Sequence, residues 1–532
     1  MKKIKIICMA FVCLLPMLSC NDFGDINQDP TKSTDMDPNL ILPDLQMMLT
    51  NDYQEWHRYM MYPGGWTHQW CGDWGTTEYG CLGIKNDSYM GEMWYQRYGR
   101  MAKGLVDIVE RSKDNPNLKN INAIGRIMRT YVYAQLTDMY GDIPYSEAGY
   151  GYYSGILKPK YDAQQDIYTD FFNQLDIANQ ELDVNGDLIT YDQYFNGDIT
   201  KWKRYCNSLH LRLALRLIKV MPDLAKAEAT KAIANGVMQS NDDICAIHYE
   251  NFANPSEGPG RGNALSNRFM ADPHNFRIAR DLIAYMEKTQ DPRITIYGGC
   301  YLEDADATDI TQKIYEKVGN WTEMSRPTDR FDWENYDDDP NSPTQDVTIE
   351  VNGANVVVPA RLTYLQPSKW LTAYDAPYIN MSYAETEFLL AECAQRWNLG
   401  TGSAAEHFTK GLQAAVQQMT LYGAPAVSDT DLDKFIKANP YKETTGIEQI
   451  NMQIWVEHLL NPFESFANWR RTGIPKIKFL NRDAARNQSN GQFPRRLLYP
   501  SDEQVKNPEN YNAAIEKIQP YDWTTPVWWD KQ

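Results

Sequence analysis

The chain has little positive charge for its size. It carries 52 lysines and arginines against 70 aspartates and glutamates, a formal charge of -18. Nucleic acid and anionic lipid headgroups both need a basic footprint, so neither fits as a partner. Histidine is scarce as well. His57, His68, His210, His248, His274, His407 and His458 stand in no metal-ligand spacing. None of the nine cysteines forms Cys-x-x-Cys, which argues against a structural zinc site. His-Glu-x-x-His, Gly-x-Ser-x-Gly and Gly-x-x-x-x-Gly-Lys are all missing. With them go the usual marks of zinc peptidases, serine hydrolases and phosphate-cradling loops. A glycoside hydrolase needs only two placed carboxylates, but no pair stands out. The reading is a binding protein, not an enzyme, with no cofactor. Beyond the first twenty residues no apolar run reaches the eighteen or so that a membrane span needs.

Those first twenty residues are a different matter. Met-Lys-Lys-Ile-Lys is followed by an apolar run from Ile6 to Leu18 and then Ser19-Cys20. A basic start, a short apolar core and a small residue before the cut describe a secretory signal over residues 1–19. Ser19-Cys20 resembles a bacterial lipobox, in which the cysteine is lipidated and becomes the new N-terminus. An ordinary signal with an incidental cysteine is the alternative. Cys20 is thus the expected lipidation site, carrying palmitate or a similar acyl chain. Residues 20–38 would be a tether with turn signals at Asn27-Gln-Asp-Pro30 and Asp35-Met-Asp-Pro38. Cleavage removes three lysines and no acid, taking the charge from -18 to -21. In exported protein Cys71 and Cys81 are able to pair across the loop between them; buried thiols are the alternative.

The rest reads as mostly helix. Residues 39–62 have helical spacing, broken at Pro63-Gly64-Gly65, and 63–91 read as a loop rich in glycine and aromatics. Helices follow at 92–113 and at 121–139, where Ile121, Ile124, Met128, Tyr131, Gln135 and Met139 step by three and four. Gly141 and Pro144 end the second. Others are expected at 163–182, 201–220, 223–235, 382–397, 403–420, 446–473 and 508–517. Residues 201–220 also alternate, as a strand would, but twenty residues without a breaker favour helix. Between about 240 and 370 glycine and proline rise. Val347 to Val358 alternates around Asn352-Gly353, the pattern of a hairpin. Such irregular inserts commonly carry function. The pair 388–397 and 404–408 has the small-and-large alternation of a tetratricopeptide unit.

Several blocks stand in one order. The lipobox and Asn27-Gln-Asp-Pro30 come first, then Arg129-Thr-Tyr-Val-Tyr-Ala-Gln-Leu-Thr-Asp-Met-Tyr-Gly-Asp-Ile-Pro144. Trp202-Lys-Arg-Tyr-Cys-Asn-Ser-Leu-His-Leu-Arg-Leu-Ala-Leu-Arg216 and Asp291-Pro-Arg293 follow. Tyr383 to Glu392, Trp469-Arg-Arg-Thr-Gly-Ile-Pro475, Pro494 to Pro500 and Asn507 to Ala513 complete the set. Over nearly the whole chain this order resembles the SusD/RagB family of outer-membrane nutrient-binding lipoproteins. The resemblance implies a mainly α fold: a SusD-like superhelix of tetratricopeptide-like helix pairs, with a large loop-rich insert and minor β-hairpins. One domain would run from 39 to 532. It implies a surface-exposed lipoprotein of a Gram-negative outer membrane. That protein would capture oligosaccharides and pass them to a SusC-type TonB-dependent transporter. A peptide ligand, as in RagB-like members, is the first alternative; a glycoside hydrolase and a periplasmic tetratricopeptide scaffold are the others.

Thirty-four tyrosines and 15 tryptophans are heavy for such a chain, and flat rings at loops grip flat sugar faces. The first candidate ligand surface is therefore Trp66, Trp70, Trp74 and Tyr79, set among five glycines. A hydrophobic cluster under that loop is the alternative. The second is Trp321, Arg326, Trp333 and Tyr336, which could face the first and make a two-sided cleft. Asp337-Asp338-Asp339 with Asn341 and Asp346 offers oxygens to Ca²⁺, with a solvated loop as the alternative. Arg470-Arg471 and Arg495-Arg496 are expected to be structural, pairing with helix-end carbonyls or buried acids.

Overall fold

The long helix Lys119–Tyr140 shows how the chain builds its layers. Its apolar residues occur on every side, so it needs partners on every side. It packs on Ala102–Ser112 and on Gln164–Glu181. Gly125 permits the first contact, because a Cβ there would lie 2.7 Å from the Ile108 side chain. Gly141, at φ 83°, stops the helix in a conformation glycine tolerates best. The stacking continues through Ile199–Arg216 on Gln164–Glu181 and Pro222–Asn235 on Ile199–Arg216. A second group, Tyr383–Trp397, Ala404–Gln417 and Gly446–Glu457, packs together and meets the first through Ile199–Arg216. Short helices paired with their neighbours in sequence make the expected SusD-like, mainly α architecture. The structure, a computed structural model, describes residues 36–51, 55–72, 76–254, 260–271, 276–299, 346–351, 354–359, 366–479 and 484–531.

The alternating leucines of 201–220 belong to the helix Ile199–Arg216, which Leu217 caps four residues short of the expected end. Leu209, Leu211, Leu213, Leu215 and Leu217 are all buried, so the stretch is covered on all sides rather than split into two faces. Ends are fixed by side chains: Asp198 accepts from the Thr200 and Lys201 amides, and Ser382 from that of Glu385. Ser403 and Glu406 form a reciprocal capping box. Strands occur among the described residues as two-stranded antiparallel ladders. Asp346–Val351 pairs with Ala354–Pro359 about residues 352–353, as the alternation predicts.

Three local expectations are corrected. Residues 63–91 are not simply a loop: a helix from Glu55 continues as a π-helix through Met60–Gly64, and Thr76–Cys81 is a second π-helix. A wider turn gives the Pro63 ring room beside the preceding turn's carbonyl, with which it would clash in a regular helix. The helix expected from 92 begins at Asp87, with a π-helical stretch at Arg97–Met101 before Ala102–Ser112. The helix expected over 446–473 is two, Gly446–Glu457 and Pro462–Thr472, because Pro462 starts a helix but cannot continue one.

Buried charge ties these helices together. Arg212 grips both oxygens of Glu385 at 2.6 Å, and Arg216 reaches Glu464 at 2.6 Å and Asp138 at 3.2 Å. Burial works against the Glu385 charge, but Arg212 and His458 outweigh it and hold the carboxyl well below the usual carboxylate range. The paired arginines are structural, as expected. Arg470 donates to the Asp138 carbonyl at 2.7 Å and Arg496 to that of Tyr140, both at the end of Lys119–Tyr140. Arg471 binds both Glu392 oxygens at 2.7 and 2.8 Å, and Arg495 pairs with Asp530.

Candidate functional site

Trp66 and Trp70 are core residues, 1% and 0% exposed, and this corrects their reading as ligand-facing rings. The helix that continues past Pro63 carries Trp66 inward, and the strand Trp70–Cys71, paired with Arg277–Ile278, carries Trp70. Trp66 packs on Phe466 at 4.9 Å and against Tyr62 and Trp523. Trp70 stacks on Phe269 at 5.3 Å, and its indole N–H donates to the Leu459 carbonyl at 2.7 Å. Tyr79 is half-buried, edge-on to Tyr89 at 4.9 Å. Trp74, Trp321, Arg326, Trp333, Tyr336, Asp337 to Asp339, Asn341 and Cys20 lie outside the described residues. Cys71 and Cys81 are buried thiols in one small cluster with Ala279.

A groove of about 850 Å³ lies at the root of the 240–370 insert. Gly298–Gly299 pairs antiparallel with Gln366–Pro367. These two limbs of the chain therefore lie side by side. Ile294 and Ile296, just before the first limb, and Trp370, just after the second, line the groove. Met286, Ile294 and Ile296 are buried and form an apolar floor. Trp370 is half-buried, with the Lys369 ammonium 4.8 Å from the ring centre. The other wall is 425–428 with Asp431 and Lys434. Glu287, Gln290, Thr295, Ser428, Asp431 and Lys434 are exposed and give the rim its hydrogen-bonding groups. An apolar floor, one accessible ring and a rim of amides, hydroxyls and carboxylates suit a ligand with flat apolar faces and hydroxyl edges.

The groove is held rigid from behind. Asp291, 1% exposed, takes Arg293 through both oxygens at 2.6 and 3.0 Å. Arg293 also donates to Gln453 at 2.6 Å and reaches Glu457 at 3.4 Å. Burial disfavours the Arg293 charge, and Asp291 more than offsets it, raising the guanidinium above its ordinary range. Asp291-Pro-Arg293 thus locks the floor to the helix Gly446–Glu457. In the sequence that block stands out only as part of an ordered set, with nothing to place it at a site, and Trp370 does not stand out at all. A single tryptophan in Lys369-Trp-Leu-Thr372 carries no signal of its own; its partners come from segments more than fifty residues away on either side.

Among the described residues one set has metal-ligand spacing, Asp176, His210 and Glu228. The Lys231 ammonium already sits between its carboxylates, 2.6 Å from Asp176 and 2.8 Å from Glu228. An internal cation thus neutralises the set. No described helix is long and apolar enough to cross a membrane.

Comparison with known proteins adds an independent line. A family model, SusD-like, described as starch-binding associating with outer membrane, matches residues 47–500. No curated protein matches. Among solved structures, a chitin-binding protein is 34% identical with a TM-score of 0.77, covering 93% of this chain and 100% of its own. A SusD-like structure from Bacteroidetes, AC2a, is 29% identical with a TM-score of 0.80, again over 93% and 100%. A chitin-binding SusD homologue from Flavobacterium johnsoniae, at 22% identity and TM-score 0.69 over 93% and 98%, shares the fold.

Proposed function

The chain belongs to the SusD-like family, and from that premise we propose that it is a surface lipoprotein that captures chitin-type oligosaccharides. It holds them along the groove beside Trp370 and delivers them to a SusC-type TonB-dependent transporter. The observation that carries the choice of ligand is the chitin-binding relative, 34% identical across 93% of this chain. The groove supports it chemically. β-Linked N-acetylhexosamines are flat, present C–H faces to an indole, and offer amide and hydroxyl groups to Gln290, Ser428 and Asp431. About 850 Å³ is within the range of small-molecule sites. Trp321 and Trp333 of the insert, which lie outside the described residues, are further candidate stacking rings for the same ligand. Cys20 anchors the protein by its lipid, and Asp22 and Asp25 just after it supply an acidic cue for outward display.

Calorimetric titration of the soluble chain beginning after Cys20 tests this reading. Chitin oligosaccharides should bind, and maltooligosaccharides of equal length should bind more weakly. Trp370→Ala removes a stacking face worth about 1–2 kcal/mol, so affinity should fall roughly 5- to 30-fold. Absence of binding by the wild type rejects the ligand class. Unchanged affinity in Trp370→Ala rejects the groove. Labelled-palmitate incorporation lost in Cys20→Ala checks the anchor, and co-purification with a membrane barrel checks the transporter.

A further inference from the structure

Cys71 and Cys81 stand ten positions apart, yet each is anchored by a different part of the fold. Cys71 lies in the strand Trp70–Cys71, paired with Arg277–Ile278, where its partner is Arg277. Cys81 closes the π-helix Thr76–Cys81, which packs on Met60–Gly64. That packing is tight: a Cβ at Gly80 would run into the Met61 carbonyl. The Cys81 thiol is directed at the Trp70 carbonyl, 4.0 Å away, the carbonyl that immediately precedes Cys71. Both side chains then meet in a cluster with Ala279, set apart from the main core. Two independently held segments therefore bring two sulfurs into one small space. No other pair of buried cysteines among the described residues shares a cluster of this kind. Cys206, Cys245 and Cys393 are dispersed through the main core.

We propose that Cys71 and Cys81 are an oxidation site, closing to an intramolecular disulfide once the chain is outside the cytoplasm. The step rests on the export reading of residues 1–19. The oxidant is a disulfide-bearing thiol oxidase of the envelope. One cysteine thiolate attacks its disulfide, the second displaces the resulting mixed disulfide, and the oxidase leaves as a dithiol. One S–S bond forms in this chain and one is lost in the oxidase. Two electrons pass to the oxidase with the two thiol protons.

The two sulfurs are 4% and 6% exposed as residues, so the exchange occurs while the segment is still folding. Burial, and next the neighbouring Cys71, push the Cys81 thiol well above its ordinary range, which makes that thiol a poor nucleophile in the folded chain. The same burial shields the finished bond from reductants. Its consequence is a covalent ring through residues 71–81, which contains Trp74 and Tyr79. The ring limits the conformations open to that segment before any ligand arrives.

One tryptic peptide, 59–85, carries both cysteines and no internal lysine or arginine. The mature chain is recovered from the cell envelope, denatured, alkylated with iodoacetamide without reductant, and digested. The expected peptide is unalkylated and lighter by two hydrogens. Reduction in denaturant should let it take up two labels, whereas dithiothreitol on the folded protein should not. A parallel arm refolds cytoplasmically made chain with oxidised glutathione. Closure in the refolding arm alone upholds the pair and rejects the export premise. Two alkylated thiols in both arms, or a disulfide between chains, overturns the proposal.

Discussion

Glu392→Gln is the sharpest probe of the buried charge network. Glu392 is fully buried on Tyr383–Trp397. Arg471 binds both of its oxygens at 2.7 and 2.8 Å, and Arg396 binds one at 2.7 Å. Burial raises its pKa, but Arg471 and then Arg396 outweigh that and hold it at about 2, against an ordinary 4.5. At ~1.4 kcal/mol per pH unit, the gap between those values amounts to about 3 kcal/mol of folded-state stability. A carboxyl with a depressed folded pKa contributes that stability in full above 4.5. The contribution drains away as pH falls toward 2. Glutamine keeps the shape but not the charge, and it leaves Arg471 buried beside a neutral amide. The expected loss at pH 7 is therefore about 3 kcal/mol, in line with other broken buried pairs. Equilibrium urea unfolding, followed by circular dichroism at pH 7, 5, 4 and 3, measures it. The wild-type and variant midpoints should be far apart at pH 7 and converge in acid. The double variant Glu392→Gln/Arg471→Leu should recover part of the loss, because it removes the stranded cation. A difference under about 1 kcal/mol at pH 7, or one that stays constant into acid, would refute the reasoning.

Two further substitutions test the packing. Trp70→Ala should destabilise by about 3–5 kcal/mol, as loss of a buried indole does, while Trp370→Ala should shift the urea midpoint little; equal effects would undo the distinction between core and groove tryptophans. Gly125→Ala improves helix propensity but drives a methyl toward Ile108, so thermal denaturation should show a net loss of about 1–3 kcal/mol. A raised melting temperature would mean that the two helices separate without cost.

Helices with a clean stripe were legible in the sequence because local spacing alone determines them. The stretches 163–182, 223–235 and 382–397 differ from the observed elements by a residue or so at each end. Prolines are less legible. Pro63 reads as a stop, yet it sits inside a π-helix, since a wider turn needs a different hydrogen-bond partner that no one-dimensional pattern reveals. Pro462 lies within a stretch of continuous helical spacing, yet it opens a separate helix. The candidate site was legible only in its general place. Rising glycine and proline marked the insert, and the groove lies at its root. Trp66 and Trp70, conspicuous in the sequence by the density of rings around them, turn inward.

The sequence by itself determined the helical class, the acidic surface charge, the expected leader and the family, because these rest on composition, period and ordered blocks. The tertiary structure decided which aromatics are core and which are accessible. Trp70 is buried by Phe269 and by the carbonyl of Leu459, both about two hundred residues or more away in sequence. Trp370 shares its groove with Ile294, Pro425 and Asp431, which are brought there from more than fifty residues away on either side. A ring's exposure depends on what folds over it, and that is a property of contacts, not of neighbours.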